Sequence, residues 1–596
     1  MESIDEYKIS IDMGGGGVKQ AYCPQNEHAA RDAQISELSE VVLFTPDAGK
    51  VEKDEFFIPN LHNGLFRIST FLSSHGIENA FVCTDMDDME MVWEQIARCQ
   101  PAVIGFSTYY NTMQKDLLNI RKASDCAPNA LIVVGGFEAS LNQQWMQLNG
   151  LVDVIVMGEG EMPLLALINA LSRYQEAGGP CHKKVIKQFV VDEFNKSQTA
   201  GICVMGSDCI AYHKQMERIT KDFYQEINLN AFHDRLHESP VQAYWQLTNK
   251  MFNGEKDCYF RFITSDHCPW KCKFCQSSVF YSALTGKQQT PVRYLEPENI
   301  IKIIATVSKI YPYITHIYID DENFLIHKQR AMQTADLIIQ AKRNNTIRSD
   351  IRFISRARTN NINDEICAKL KSAGWEMLSV GTESYSQEEL DFMNKRNTVA
   401  VNTLGVQTIL AAGLKAAENY ILFTPITTSS TFYETAIGIC ENIVQLSSDC
   451  AATHFLTPLP GTELWGDGRF KAVRENPYNA YSPQKKILFT NPATGFDYLG
   501  EHILVPGTDM TFPHPETILP NDEFMRKISL LTLKHLPDHI HYLKTYTRNS
   551  QVTLSRRFVT LANLFSAVTQ ISERTDEARW KELRRTIING VKSLYA

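Results

Sequence analysis

Three cysteines lie close together in the segment SDHCPWKCKFC, and their spacing is the strongest chemical signal in the sequence. Three residues separate Cys268 from Cys272, and two separate Cys272 from Cys275. A structural zinc ion normally takes four ligands in paired spacings, and no second Cys-x-x-Cys or His-x-x-x-His pair lies nearby in the sequence. Three thiolates on one loop instead suit a [4Fe–4S] cluster in which one iron has no protein ligand. Such an open iron can bind a substrate or cofactor directly.

The sequence around this loop predicts a regular series of strands and helices. Short apolar runs, separated by helical patterns, begin at Tyr259, Thr315, Asp350, Glu376, Asn419 and Thr453. These six βα units between residues 255 and 467 are fewer than the eight of a closed barrel. They predict a (β/α)6 partial TIM barrel, in which the cysteine loop follows the first strand.

An earlier alternating series occupies residues 40–175. Its five short apolar runs, most of them rich in Val and Ile, predict strands buried on both faces of a parallel, doubly wound sheet. Ligands of such sheets bind outside the carboxyl ends of the strands. Small and acidic residues follow three successive strands: Ser107, Thr108, Gly135, Gly136, Gly158, Glu159, Gly160 and Glu161. The small residues leave a slot for a flat or elongated ligand, although tight βα turns alone would also explain the glycines.

The remaining chain carries weaker signals. Residues 1–39 are interpreted as an N-terminal extension, 176–254 as a linker with some structure of its own, and 468–596 as a mostly helical C-terminal domain. The protein as a whole is thus predicted to be α/β.

Composition excludes several classes of function. The net charge of −9 argues against a surface that coats nucleic acid. No apolar run reaches the ~18 residues that a membrane span needs, and the first residues lack the pattern of a secretory signal. We therefore expect a cytoplasmic protein with no membrane or nucleic-acid partner. In that compartment the 14 cysteines would not form a disulfide framework.

The cysteine loop, with Phe274 before its third cysteine, resembles the signature loop of radical S-adenosylmethionine (radical SAM) enzymes. The segments IYIDDENF, SVGTES and FLTPLPGTELW resemble turns that follow later strands in the same family, so that the likeness covers about residues 255 to 470. The resemblance implies that the open iron chelates S-adenosylmethionine (SAM). A reduced cluster would cleave SAM to methionine and a 5′-deoxyadenosyl radical, with electrons from an external donor of the flavodoxin or ferredoxin type.

Roles for individual residues follow from their positions in these segments. Asp321, Glu322 and Asn323 are expected at the amino end of SAM, and Glu383 and Ser384 in its polar surroundings. Arg356 and Arg358 are expected to pair with the SAM carboxylate, because a guanidinium fork suits that geometry. A solvated acidic turn and solvated ion pairs are the alternative interpretations of these residues.

The glycine and acidic turns of residues 40–175 resemble those of the flavodoxin-like (Rossmann-type) cobalamin-binding domain that precedes the radical SAM domain in one large subfamily. The resemblance implies that these turns line the groove for the nucleotide tail, with the corrin over the strand ends. Tyr109 and Tyr110 would face the corrin or belong to the core.

His62 occupies the place where other cobalamin proteins have Asp-x-His-x-x-Gly, whose histidine binds cobalt. Here the segment reads Asn-Leu-His-Asn-Gly, without the aspartate and with a shortened spacing. His62 is therefore a candidate cobalt ligand, with a loop-lining histidine as the default interpretation.

The leading functional hypothesis is methylation of an unactivated carbon of a small, natural-product-like molecule, by means of the 5′-deoxyadenosyl radical and methylcobalamin. The alternative within the same subfamily is a rearrangement, ring contraction or cyclisation without methyl transfer. A cobalamin and iron–sulfur sensor module is the alternative of another class. A methylthiotransferase is disfavoured, because its first domain needs a second cysteine triplet and the early cysteines here are scattered singly.

Overall fold

The computed structural model describes residues 40–46, 62–237 and 259–467, apart from most of 425–448 and a few short stretches, together with four short strands between residues 489 and 513. The predicted N-terminal extension and the helical patterns of the C-terminal domain lie outside the described residues. Tyr110 also lies outside them.

The first sheet confirms the predicted doubly wound fold. Its strands are β1 (Val41–Phe44), β2 (Asn79–Val82), β3 (Val103–Ser107), β4 (Leu131–Gly135), β5 (Val154–Val156), β6 (Ile202–Met205) and β7 (Ile210–Lys214). The strand order is β2-β1-β3-β4-β5-β6-β7, and β1 to β5 are parallel. The order 2-1-3-4-5 is that of flavodoxin-like folds, whose ligands bind where the order reverses, between β1 and β3.

Helices connect these strands and cover the sheet. They are α1 (Asn63–Ser74), α2 (Met89–Cys99), α3 (Met113–Cys126), α4 (Gly136–Leu141) and α5 (Glu161–Glu176). Alternate residues of β1 point into two different apolar clusters: Val41 and Leu43 into one, Val42 and Phe44 into the other. Burial on both faces is why the sequence of β1 reads as a continuous apolar run.

The segment predicted as a linker extends the first sheet beyond residue 175. It contains α6 (Lys183–Ser197), the hairpin of β6 and β7, α7 (Lys221–Leu229) and a π-helix (Asn230–Asp234). Strand β6 pairs antiparallel with β5, and β7 antiparallel with β6. The regular alternation of strands and helices in the sequence ends at α5, because the two strands of an antiparallel hairpin at a sheet edge need no crossover helix between them.

The second sheet has the six predicted strands of the partial barrel. They are β8 (Tyr259–Phe262), β9 (His316–Ile319), β10 (Arg352–Ala357), β11 (Trp375–Glu383), β12 (Lys415–Phe423) and β13 (Asp449–Phe455). All neighbouring strands are parallel, in the order β13-β12-β11-β10-β9-β8. The helices are α8 (Phe280–Thr285), α9 (Pro297–Ile310), α10 (Lys328–Arg343), α11 (Asp364–Ala373), α12 (Gln387–Phe392) and α13 (Val399–Ala411). Gly374, with φ +102°, is the C-cap of α11.

One apolar core connects the two sheets. Phe232 of the π-helix packs against Phe66 of α1, with ring centroids 5.1 Å apart. The same ring packs against Phe260 and Phe262 of β8 at 6.3 and 6.1 Å. The two domains therefore share buried apolar surface at this contact.

Two further features concern the rest of the described chain. The short strands β14 (Phe489–Thr490), β15 (Asp497–Leu499), β16 (His502–Leu504) and β17 (Thr511–Pro513) form an antiparallel sheet that the sequence analysis did not predict. Among the residues that the structure describes, no helix is both long and apolar enough to span a bilayer.

Candidate functional site

The carboxyl ends of the two parallel sheets face each other. Tyr109 follows β3, and burial together with the negative charges of Asp320 and Glu322, which follow β9, raises the pKa of its phenol to about 12. The Tyr109 side chain is nevertheless 37% exposed. Tyr109 is therefore partly exposed near the segment that follows β9, and we refer to this region between the two domains as the recess. Nearby, Phe137 of α4 packs against Phe280 of α8, with ring centroids 4.3 Å apart.

The cysteine loop lies between β8 and α8, near Glu322 of the segment that follows β9. Cys268 and Cys272 are buried and Cys275 is partly buried. Burial raises the pKa of the Cys268 thiol to about 11 and that of Cys275 to about 12, and the negative charge of Glu322 contributes to both shifts. Buried thiols that must lose their protons to bind a metal make cluster binding depend on pH.

Arg358, which follows β10, contacts the cysteine loop directly. Its Nη1 donates a hydrogen bond to the Sγ of Cys272 over 3.3 Å, and its Nη2 donates to the carbonyl oxygen of Lys395. The guanidinium carbon lies 4.5 Å from the ring centroid of Trp270. Arg358 is predicted from the sequence to pair with the SAM carboxylate, and in the structure two of its nitrogens contact Cys272 of the cysteine loop and the carbonyl oxygen of Lys395.

The residues around the loop fit an iron–sulfur cluster and a polar ligand. Within the described part of the chain, no three His, Cys, Asp or Glu side chains form a group that could hold a metal ion. Three buried polar atoms around it lack a hydrogen-bond partner: Trp270 Nε1, Asn323 Oδ1 and Arg358 Nε. Unpaired buried polar atoms are costly, so a bound polar group would satisfy them.

Asp321 supports the start of the cysteine loop. Its Oδ1 accepts hydrogen bonds from the backbone N–H groups of Thr264 and Ser265 at 2.5 and 2.8 Å, and its Oδ2 accepts one from the Thr264 hydroxyl at 2.7 Å. Arg330 lies 3.5 Å from Oδ2. Both carboxylate oxygens, predicted to meet SAM, are therefore occupied by the turn that leads to the cysteines.

Glu322 and Arg356 form a charged group inside the recess. Arg356 Nη1 lies 3.7 Å from Glu322 Oε2, and its Nη2 lies 2.6 Å from Asp320 Oδ1. Burial raises the pKa of Glu322, and the nearby Arg356 opposes that shift. The Glu322 side chain is 43% exposed although burial dominates its pKa, so its carboxylate is accessible from within the recess.

Asn323 lies next to this group and is buried. Its Nδ2 donates to Asn361 Oδ1 over 2.9 Å, which leaves Oδ1 as the unpartnered atom named above. An amide oxygen in this state accepts a hydrogen bond from an ammonium group. The geometry is compatible with the predicted contact to the amino end of SAM.

Glu383 at the end of β11 pairs with a lysine that the sequence analysis did not assign to the site. Lys395 Nζ lies 2.6 Å from Glu383 Oε1, and both side chains are buried. Glu383 has φ +62°, an uncommon conformation for a residue with a side chain. Ser384 is also buried, and its hydroxyl lies 2.6 Å from that of Thr435.

Replacing Lys395 by methionine should destabilise the fold by roughly 3–5 kcal/mol, because Glu383 would remain buried without its counter-ion. The matched control is Lys328→Met. Lys328 also lies 2.6 Å from a carboxylate, that of Glu365, but both side chains are exposed, so the expected cost is below about 1 kcal/mol. Urea unfolding of both variants measures the difference. An equal loss of unfolding free energy in Lys395→Met and Lys328→Met would contradict the expectation that burial makes the Glu383–Lys395 pair costly to break.

The end of the first sheet between β3 and β4 is built from close backbone contacts. The Thr108 hydroxyl and N–H both donate to the Gly135 carbonyl oxygen, at 3.0 and 2.9 Å. Gly136 has φ +92°, and a Cβ there would lie 2.7 Å from the Thr108 carbonyl oxygen and 3.1 Å from Ser107 Oγ. The edge is flat because no side chain fits at position 136, which suits a ligand that lies against backbone.

The last turn of the parallel strands is also closely packed. A Cβ at Gly158, where φ is +75°, would overlap the sulfur of Met216, and a Cβ at Gly160 would lie 2.6 Å from Ile68 Cδ1. Glu161 begins α5 and pairs with Arg67 of α1 at 2.8 Å. Glu159 accepts a hydrogen bond from the Ile219 N–H and pairs with Arg293 of the barrel domain.

His62 caps α1 and has both ring nitrogens occupied. Its Nδ1 accepts a hydrogen bond from the Leu65 N–H at 3.1 Å. Burial lowers its pKa to about 4, so the ring is neutral and its proton belongs on Nε2, which lies 2.9 Å from Ser107 Oγ. Neither nitrogen has a lone pair directed at a cobalt ion, and the structure favours the loop-lining role over the cobalt-ligand hypothesis.

The low pKa of His62 predicts a pH-dependent contribution to stability. Its folded pKa lies below the model-peptide value of 6.5, so acid favours the unfolded chain, and stability is lost as the pH falls from 6.5 toward 4. Between pH 7 and pH 5 the wild type should lose roughly 2 kcal/mol more than His62→Asn, which keeps an N-cap acceptor but does not titrate. Urea unfolding at both pH values measures this loss.

An equal loss in the two proteins would refute this effect. The same variant also tests cobalt ligation. We expect the visible spectrum of bound cobalamin to be unchanged by His62→Asn.

Two family models match the sequence. The B12 binding domain matches residues 61–168, and the radical SAM superfamily matches residues 262–436. Among curated proteins, an uncharacterized methyltransferase of Pyrococcus horikoshii is 24% identical over 371 residues, which are 62% of this chain and 70% of the relative. An anaerobic magnesium-protoporphyrin IX monomethyl ester cyclase of Rubrivivax gelatinosus is 21% identical over 427 residues, 69% of each chain.

Solved structures share the fold. The cobalamin-dependent SAM radical enzyme OxsB, with aqua-cobalamin and SAM bound, matches with a TM-score of 0.57 and 14% identity over 94% of this chain and 84% of its own. The radical SAM methyltransferase TsrM from Kitasatospora setae, with tryptophan and a SAM analog bound, matches with a TM-score of 0.51 and 14% identity over 71% of this chain and 74% of its own. The chain thus joins a B12 binding domain to a radical SAM domain, which is the domain combination of a cobalamin-dependent radical SAM enzyme.

Proposed function

We propose that the enzyme transfers a methyl group to an unactivated carbon of a small molecule. The observation that carries the proposal is the contact between the two domains at the carboxyl ends of their strands: Phe137 of α4, which follows β4, packs against Phe280 of α8, which follows the cysteine loop, with ring centroids 4.3 Å apart. A substrate in that recess would be within reach of both cofactors. When bound, the reduced cluster and SAM supply a hydrogen-abstracting radical, and methylcobalamin supplies a methyl group.

The residues of the chain position these groups and exclude water. Cys268, Cys272 and Cys275 would hold the cluster, and the hydrogen bond from Arg358 would orient Cys272. Asp321 would act indirectly, because it fixes the turn before the cysteines.

The polar surface of the recess would bind SAM. Glu322 and Asn323 would receive its ammonium group, Arg356 its carboxylate, and Glu383 with Ser384 would lie in its polar surroundings. The Arg356 guanidinium is paired with Asp320 and Glu322 in the protein, so SAM would have to share it with them.

The flat edge at the first sheet would hold cobalamin. Ser107, Thr108, Gly135 and Gly136 provide backbone without projecting side chains. The Gly158 and Gly160 turn continues this edge. An external donor of the flavodoxin or ferredoxin type would supply the electrons.

The names of relatives support methyl transfer without identifying the substrate. The Pyrococcus horikoshii relative and TsrM are both described as methyltransferases. TsrM has a small molecule, tryptophan, as its substrate.

The decisive experiment uses methyl-deuterated SAM with the anaerobically reconstituted enzyme and a fractionated extract of small metabolites. We expect the deuterated methyl group first on cobalamin and then on a product identified by mass spectrometry. Formation of 5′-deoxyadenosine together with a product that carries no deuterated methyl group would contradict the proposal.

That second outcome would support the alternative of a rearrangement or cyclisation. The specific observation in its favour is that two relatives, each matched over more than two thirds of this chain, are named as cyclases. A sensor module without turnover would instead bind cobalamin and show no affinity for SAM.

A further inference from the structure

A group of buried charged side chains connects the cobalamin domain to the cysteine loop. We refer to it as the interdomain charge cluster, which consists of Glu159, Arg218, Asp266, His267 and Arg293. Glu159 belongs to the turn after β5, Arg218 to the segment that joins the two domains, and the other three to the barrel domain. Their side chains are between 2% and 14% exposed, so the charges are largely removed from water.

Arg293 is the centre of this cluster. It pairs through Nη2 with Glu159 of the cobalamin domain and through Nε with Asp266 at 2.8 Å. Its Nη1 donates to the carbonyl oxygen of Ile219 at 2.5 Å, while the Ile219 N–H donates to Glu159 at 2.9 Å. One guanidinium thus joins the first domain, the connecting segment and the barrel.

Asp266 carries the connection to the cysteines, since it precedes Cys268 by two residues. Its carboxylate pairs with Arg218 and accepts a hydrogen bond from the Arg293 backbone N–H at 3.0 Å. Its own N–H donates to the Arg293 carbonyl oxygen at 3.0 Å. The neighbouring His267 contacts the same carboxylate through Nδ1 at 2.6 Å. Both carboxylate oxygens of Asp266 and its backbone N–H are thus held by directional contacts.

Energetics favour positioning over stability as the role of this cluster. Buried ion pairs contribute little net stability, because desolvation of the charges offsets their attraction. Arginine forks nevertheless fix the angle as well as the distance between the groups that they join. An apolar contact, such as that of Phe232 with Phe66 and Phe260, has no such directionality.

We propose that the interdomain charge cluster is a positioning device, which fixes the turn of the cobalamin domain at Glu159 relative to the cysteine loop and thereby sets the distance between cobalt and the iron–sulfur cluster. Both carboxylate oxygens of Glu159 serve this connection. The cluster thus gives Glu159 a role other than the predicted contact with cobalamin. The proposal depends on the two cofactors and is independent of whether a methyl group is transferred.

Glu159→Gln is the variant that tests this device. The amide keeps the size of the side chain and an acceptor for the Ile219 N–H, but it removes the charge that pairs with Arg293. Asp153→Asn is the matched control. Asp153 is also a buried carboxylate, but it lies at the other end of β5 and pairs with Lys183 and Lys187 of α6, not with the barrel domain.

Pulsed electron paramagnetic resonance measures the distance between cob(II)alamin and the reduced cluster in the enzyme loaded with both. We expect one narrow distance distribution in the wild type and in Asp153→Asn, and a broader or shifted distribution in Glu159→Gln. An unchanged distribution in Glu159→Gln would overturn the proposal. Loss of cobalamin from a folded Glu159→Gln would also overturn it, because Glu159 would then bind the cofactor.

Arg293→Lys keeps the proposal testable if Glu159→Gln does not fold. Lysine retains the positive charge beside both carboxylates but cannot contact Glu159, Asp266 and Ile219 at once. We expect a broadened distribution in this variant too. A distribution as narrow as that of the wild type would overturn the proposal.

Discussion

Replacing Cys272 by alanine should abolish the formation of 5′-deoxyadenosine from SAM. The thiol lies between the other two cysteines in the sequence, is buried, and receives the hydrogen bond of Arg358. Without it, two protein thiolates would remain for a cluster that the loop holds with three. We expect iron and sulfide to fall from one cluster per chain to near zero and SAM cleavage to fall below detection.

Cys367→Ala is the control for this prediction. Cys367 is a fully buried cysteine in α11 of the same domain, and it lies outside the cysteine loop. Its loss should leave the iron content unchanged. Continued formation of 5′-deoxyadenosine by a Cys268→Ala, Cys272→Ala, Cys275→Ala triple variant would refute the assignment of the cluster. Zinc in place of iron and sulfide in anaerobically purified protein would refute it as well.

Gly136→Ala should weaken the binding of cobalamin about tenfold or more, which corresponds to at least ~1.4 kcal/mol. The added Cβ would lie 2.7 Å from the Thr108 carbonyl oxygen, so the ends of β3 and β4 would have to separate. That separation would alter the backbone against which we propose that cobalamin lies. The dissociation constant is measured from the visible spectrum of the cofactor as it is titrated with protein.

Gly150→Ala controls for backbone strain alone. Gly150 also has a positive φ, +68°, but a Cβ there would meet no atom within 4 Å. Both substitutions cost about 1 kcal/mol because alanine must adopt a left-handed backbone conformation, and only Gly136→Ala adds a steric clash. Equal cobalamin affinities for the two variants would show that the β3–β4 edge does not hold the cofactor.

The sequence predicted the strands of both parallel sheets and the location of the cysteine loop. Runs such as LIVV in β4 are unambiguous because strands buried on both faces need apolar residues at every position. The loops that follow them must lie at the carboxyl ends of the strands, so the side of each sheet that carries the chemistry was predictable too. The antiparallel hairpin of β6 and β7 was missed because β6 (ICVM) is an apolar run of only four residues and the edge strand β7 (IAYHK) contains polar residues, so that neither gives a strong periodic signal.

The partners of charged side chains could not be predicted. Glu159 and Arg293 are 134 residues apart in the sequence, and nothing in their local context indicates that they pair. Likewise, the position of Arg358 after β10 suggested a contact with a cofactor. Its hydrogen bond to Cys272 depends on how β10 packs against the cysteine loop, which the sequence does not reveal. Lys395 lies 12 residues after Glu383, and nothing in the segment FMNKRNT indicates that its lysine pairs with that carboxylate.

The continuous apolar core through Phe232 restricts how a substrate can enter. Swinging the two domains apart would expose Phe232, Phe66 and Phe260, at roughly 1.5–3 kcal/mol for each aromatic side chain. Entry by a clamshell motion is therefore disfavoured, and we expect a substrate to bind without separation of the two domains. Small-angle X-ray scattering should give the same radius of gyration with and without SAM, and a large compaction on binding would show that the domains do hinge.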